Sequence, residues 1–237
     1  PALTLIEGCA ALEGLGIKKS PQARISALLQ NNGGLKRLEL ADLPDSSFNS
    51  QHLQALEYLS LSRMNVSQLR GLEKNARLRV LKIDHLDQLQ RFTPPSQLSS
   101  AYISHCSKLV GLDSWPQSDS LNKLVLYDND RLKNPPDWSR FPQLKHLLIQ
   151  NNNALDSIKG IKLLQSTERL YIVNNTNLKT NSLHVGFGFE WGVDVSSVKL
   201  EYEHRQTVRW LKNADMGIKL LGVYFLKKFV RQAESEE

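Results

Sequence analysis

One pattern, L-x-x-L-x-L-x-x-(N/C/L)-x-x-L, recurs along most of this chain and constrains its fold more than any other feature. Its copies begin at Leu35, Leu56, Leu78, Leu98, Leu121, Leu144 and Thr167, and successive starts lie 21, 22, 20, 23, 23 and 23 residues apart. The central L-x-L has a period of two, so its apolar residues point one way and the residue between them the other. Leu38/Leu40, Leu59/Leu61, Leu81/Ile83, Ala101/Ile103, Leu124/Leu126, Leu147/Ile149 and Leu170/Ile172 are the expected inward pairs. A single unit of this length cannot bury its own leucines. Stacked units can, by sharing one parallel sheet over a continuous core.

Two weaker copies flank these seven. Ile6, Cys9, Leu12 and Leu15 match Ile103, Cys106, Leu109 and Leu112 in type and spacing, and Val195, Val198 and Leu200 supply the strand half of a ninth copy. On these residues, covering about positions 1–202, the chain resembles the leucine-rich-repeat family, in a short variant found in intracellular immune-type receptors and some bacterial secreted effectors. The resemblance implies an α/β fold: a right-handed, horseshoe-shaped solenoid of about eight or nine repeats. It would have a concave parallel sheet, an outer side of 3-10 and extended segments, and a C-terminal helix. It also implies that the repeats select a protein partner.

The ninth position of each unit turns the chain out of the strand. Asn129, Asn152 and Asn175 are expected to point inward there and satisfy backbone groups, whereas Leu43, Met64, Leu86 and Cys106 fill the earlier turns. Pro94-Pro95 and Pro135-Pro136 favour extended outer segments. Ser20-Pro21 followed by Ile25, Leu28 and Leu29, with Asn32-Gly33-Gly34 as a stop, predicts a helical insertion over about 20–32.

Beyond the repeats, residues 185–192 are aromatic and glycine-rich and read as an irregular loop. From about Glu203 to residue 237, Leu211, Ala214, Ile218, Leu221 and Phe225 form one helical stripe opposite Lys212, Lys219 and Lys227. This segment is expected to be a helical cap or tail. Docking to a partner and lying on a membrane surface are its two other uses. No matching cap precedes the first copy, so the sequence is expected to belong to a longer protein.

If the alternation holds, outward side chains form columns across the sheet. One column runs Glu39, Ser60, Lys82, Tyr102, Val125, Leu148, Tyr171 and Lys199, and the next includes Tyr127 and Val173. Tyr102, Val125, Tyr127, Leu148, Tyr171 and Val173 then make a six-residue apolar patch that the core does not need. Such a patch marks an interaction site. Two readings compete with it: ordinary strand preference for aromatic and branched residues, and cover by the chain's own C-terminal segment. A rim column of Asp42, Arg63, His85, His105, Asp128, Asn151 and Asn174 adds polar selectivity, and His85 and His105 are taken with the six as partner-binding residues.

Catalytic motifs are missing: there is no phosphate-cradling glycine loop, G-x-S-x-G or H-E-x-x-H. His105-Cys106 looks like a base beside a nucleophile, but alternation sends Cys106 inward and His105 outward. Cys9 and Cys106 stand four repeats apart, roughly 19 Å at about 4.8 Å per strand, so both are expected to be buried free thiols. His85 and His105 have no obvious third ligand, Asp84 falling in the neighbouring column. No metal, cofactor or enzymatic activity is therefore expected. Asn65-Val-Ser67 and Asn174-Asn-Thr176 are glycosylation triplets that matter only in a secretory setting.

The net charge of +6 comes from 30 basic and 24 acidic residues, scattered rather than gathered in a basic stripe, which argues against nucleic acid as the partner. Two cysteines are too few for a disulfide framework, and no run of about 20 apolar residues occurs. The sequence thus describes a cytoplasmic, non-enzymatic protein–protein interaction module that binds through the sheet. The alternative is a membrane-associated scaffold or a bacterial effector, delivered into a host cytosol, that uses the basic terminal helix.

Overall fold

The inward leucines organise the observed structure, a computed structural model described for residues 11–20, 25, 29, 32–158, 161, 164, 166–178 and 190–193. Its strands are β1 (Gly14–Lys18), β2 (Arg37–Ala41), β3 (Ser47–Asn49), β4 (Tyr58–Ser62), β5 (Gln68–Arg70), β6 (Val80–Asp84), β7 (Ser100–Ser104), β8 (Lys123–Tyr127), β9 (His146–Gln150), β10 (Arg169–Val173) and β11 (Glu190–Val193). All but β3 and β5 lie in one parallel sheet, ordered as in the chain. Each strand pairs with the equivalent strand of the next turn, so Leu38, Leu59, Leu81, Ala101, Leu124, Leu147 and Leu170 stand in one row. The chain is a parallel β-solenoid.

Four strands, β4 and β7 to β9, show the same alternation of half-buried and buried residues, iBiBi, and β2, β6 and β10 depart from it at one or two positions. The L-x-L residues of β2, β4 and β6 to β10 are at most 2% exposed. Each such leucine or isoleucine contributes roughly 1.5–3 kcal/mol relative to full exposure. Behind them the returning segments carry a second apolar layer in which Phe48, Phe92, Trp115, Trp138 and Phe141 are buried. Trp115 meets Phe141 edge-on, with ring centroids 5.5 Å apart at 76°.

The return side is extended and 3-10, as expected, with one addition: β3 and β5 pair in parallel as a small second sheet. The 3-10 turns Leu72–Lys74 and Trp138–Arg140 sit in these segments, the second capped by Asp137, whose carboxylate accepts the Ser139 N–H. Gly71, which leads into the first turn, has φ 78°, and a Cβ there would lie 2.7 Å from the Gln51 nitrogen, so only glycine fits.

Two expectations about the ends are corrected. The first described strand is not built on Ile6. It is β1, where Leu15 pairs with Leu38 and Ile17 with Leu40. Leu15 therefore belongs to a strand, not to the return segment where its supposed counterpart Leu112 lies. Paired residues of β1 and β2 are 23 residues apart, the spacing of the later repeats, and the helical insertion expected over about 20–32 falls between them, mostly outside the described residues. Of that part, Ile25 and Leu29 are described; both are helical and buried.

The last described strand is likewise β11, pairing Leu170 with Trp191 and Ile172 with Val193. It falls within the stretch read as a loop. A strand built on Val198 would follow β10 after 28 residues, whereas β11 keeps the spacing near that of the other turns. Residues 1–10, with Cys9, and 194–237, with Val195 to Leu200, Lys199 and the terminal helical stripe, lie outside the described residues. No helix among the described residues is long and apolar enough to cross a membrane.

Candidate functional site

The solvent-facing column stands as the alternation requires. Tyr102, Val125, Leu148 and Tyr171 are direct neighbours in β7 to β10, and all four are half-buried. Tyr127 and Val173, at the ends of β8 and β10, are half-buried too, but Gln150 stands between them in the register. The six residues are thus one row of four with two flanking members, none of them turned into the core.

A third column, one residue before each inward pair, was not singled out from the sequence, although the same alternation exposes it. It runs Arg37, Tyr58, Val80, Ser100, Lys123, His146 and Arg169. Cations of this column and of the neighbouring one stand against tyrosine rings on the face. Lys82 Nζ lies 5.4 Å and Lys123 Nζ 5.2 Å from the centre of the Tyr102 ring, and the Arg37 guanidinium lies 3.8 Å over Tyr58. A shallow hollow of about 290 Å³ opens over β8 to β10, lined by Lys123, Val125, His146, Leu148, Arg169 and Tyr171. The face is therefore apolar along its centre and basic along one side.

The rim column has a backbone origin. Lys19, Asp42, Arg63, His85, His105, Asp128, Asn151 and Asn174 all have φ between 49° and 56°. Each ends its strand by turning left-handed, and from Lys19 to Asn151 its N–H donates to the next turn's last strand carbonyl, as from Asp42 to Ser62 and from His85 to Ser104. Asn, Asp and His tolerate this region best among non-glycine residues. The polar character of the column is thus first a consequence of the turn.

The same turn corrects the expectation that the two histidines lack a third ligand. His85 and His105 stack with centroids 4.2 Å apart and planes at 15°, and Asp84, the last residue of β6, reaches both. Asp84 Oδ1 lies 2.9 Å from His105 Nδ1, and Oδ2 lies 3.0 Å from His85 Nδ1. The second contact is close but out of line for a hydrogen bond, which leaves His85 Nδ1 buried without one. Ser104 Oγ donates to Asp84 Oδ1 at 2.8 Å and Ser62 Oγ to Oδ2 at 3.1 Å. Partial burial pushes the Asp84 carboxyl up, but His85, His105 and Ser104 together outweigh it and hold the group at about 2. On its other side His105 Nε2 stands 3.2 Å from Asp128 Oδ2, and its ring meets Tyr127 edge-on at 5.2 Å. Spacing alone could not reveal this cluster, because its members come from three successive turns.

Behind the rim runs the expected amide ladder. Asn129, Asn152 and Asn175 are at most 1% exposed. Cys106 N–H donates to Asn129 Oδ1, Asn129 N–H to Asn152 Oδ1 and Asn152 N–H to Asn175 Oδ1, at 2.9–3.2 Å. Their side-chain amides donate back to Ile103, Leu126 and Ile149 carbonyls. Cys106 continues the ladder as a free, buried thiol that donates to the Ser104 carbonyl at 3.3 Å. Burial pushes this thiol up to about 12, so it is no nucleophile at neutral pH.

The fold and these surfaces define a class: a parallel repeat solenoid that presents a mixed apolar and basic sheet face beside a histidine–carboxylate rim. No protein-family model, curated protein or solved structure matches the chain.

Proposed function

We propose that the chain is a solenoid of the leucine-rich-repeat type and serves as a protein-interaction module. In this reading the row Tyr102, Val125, Leu148 and Tyr171 docks a partner. The observation that carries it is the register of that row: four large apolar or aromatic side chains stand side by side, half-exposed, on a surface where the core needs none of them. Stacked strands provide a rigid platform, so little ordering cost opposes docking. Lys82, Lys123, His146 and Arg169 beside the row favour a partner whose apolar anchors are flanked by Asp or Glu. His85 and His105 border this face at the rim.

Selection from a random-peptide library tests the reading. Native protein should enrich peptides that combine aromatic or aliphatic anchors with acidic residues. Their affinity should drop at least tenfold against a Tyr102→Ala/Leu148→Asp/Tyr171→Ala variant of unchanged circular dichroism. Affinity capture with the same pair of proteins should lose the corresponding natural interactor. Enriched peptides that bind both proteins equally would move the docking surface elsewhere.

A further inference from the structure

We propose that Asp84, His85 and His105 form a binding site for a zinc-type divalent metal ion, with Asp128 positioning His105. Each of the three offers one ligand atom, and these atoms lie within 4.8 Å of one another. Tetrahedral ligands about 2.0–2.1 Å from a zinc ion stand roughly 3.3 Å apart, so modest side-chain rotation closes the set. Two imidazole nitrogens with one carboxylate oxygen suit zinc and its neighbours in the first transition row. Calcium and magnesium take oxygen ligands almost exclusively.

Four further observations support the assignment. His85 Nδ1 is buried without a hydrogen-bond partner although it faces the Asp84 carboxylate, and a metal ion would satisfy it. His105 lies between two carboxylates, so when one ring nitrogen binds metal the other can donate to an acid, the usual support for a ligating histidine. The Ser62 and Ser104 hydroxyls hold Asp84 in place. Asp87, Asp128 and Asp130 line the adjoining rim hollow of about 470 Å³, which makes this edge a cation-attracting region of a chain with net charge +6.

The backbone does not require histidine here. Asp128, Asn151 and Asn174 adopt the same left-handed turn in later repeats, so two stacked histidines reflect a chemical choice. With three protein ligands on a partly exposed rim, water or a partner's side chain would complete the coordination.

The test is titration of the chelator-treated full chain with zinc chloride, followed by calorimetry and, with cobalt as probe, by absorption. One equivalent should bind with a Kd below about 100 μM, unaffected by millimolar magnesium. His85→Asn and His105→Asn should each weaken binding at least tenfold and together abolish it, and Asp128→Asn should weaken it roughly tenfold. Asparagine preserves the turn, as Asn151 and Asn174 show, and thermal melts verify folding. His52→Asn should change nothing. On the native chain, zinc should protect His85 and His105 from diethyl pyrocarbonate. Absence of saturable binding, full binding by the double variant, unprotected histidines, or an intense thiolate-to-cobalt band would overturn the proposal.

Discussion

Asn152 Oδ1 accepts both the backbone N–H and the side-chain amide of Asn129, each at 3.2 Å. Asn175 Oδ1 stands in the same relation to Asn152, at 2.9 and 3.4 Å. One side chain thus closes a turn in its own repeat and caps a backbone donor in the preceding one. The stacking of the C-terminal half therefore rests on polar links as well as on burial.

Removing the middle link should be costly. Asn152→Leu leaves the Asn129 N–H and the Leu126 carbonyl's side-chain partner unreplaced in a dry interior, a loss of about 2–4 kcal/mol. Met64→Leu, at the equivalent position of an apolar turn, should cost less than about 1.5 kcal/mol. Urea denaturation of the two variants measures the difference.

The left-handed rim makes its own prediction. At Asn151, φ 56°, a β-branched side chain is strained and glycine is not. Asn151→Val should destabilise by about 1–2 kcal/mol, whereas Asn151→Gly should stay within about 0.5 kcal/mol of the native chain. Thermal midpoints of both variants decide it.

Acid should weaken the rim through Asp84. Its carboxyl titrates near 2 in the folded chain and near the ordinary 3.8 when unfolded, so the folded state favours the ionised form. That contribution is fully present above about pH 4 and is lost as pH falls from there toward 2. For a carboxylate about a third exposed it amounts to roughly 1 kcal/mol after solvent screening. In metal-free buffer, native protein should lose more stability than Asp84→Asn between pH 5 and about 2.5, as measured by denaturant midpoints.

Cys106 should be inert while the solenoid is folded. Its thiol is buried and is pushed up to about 12 by that burial. Iodoacetamide at neutral pH should leave Cys106 unmodified in native protein and alkylate it in urea, read by peptide mass spectrometry. Rapid labelling under native conditions would contradict the buried ladder position.

Much of this was legible before any coordinates. Leu81, Ile83 and Cys106 face inward, Lys82 and Tyr102 face outward, and Asn129, Asn152 and Asn175 line a dry turn, each as the repeat predicts. The ends were less legible. Ile6 and Val198 fit the pattern, yet the described edge strands use Leu15 with Ile17 and Trp191 with Val193. Glycines at positions 14, 16 and 192 dilute the signal there, and pairing to the neighbouring backbone decides the register.

By itself the sequence determined the repeat length, the strand phase of the seven central copies and the identity of the inward side chains, because burial of alternate leucines is a local property repeated many times. Only the tertiary structure decided that Asp84 meets His85 and His105, that Asp128 backs His105, and that Lys82 and Lys123 flank Tyr102. Those relationships run between turns, and they depend on the sheet register and on a left-handed bend that no single copy of the motif encodes.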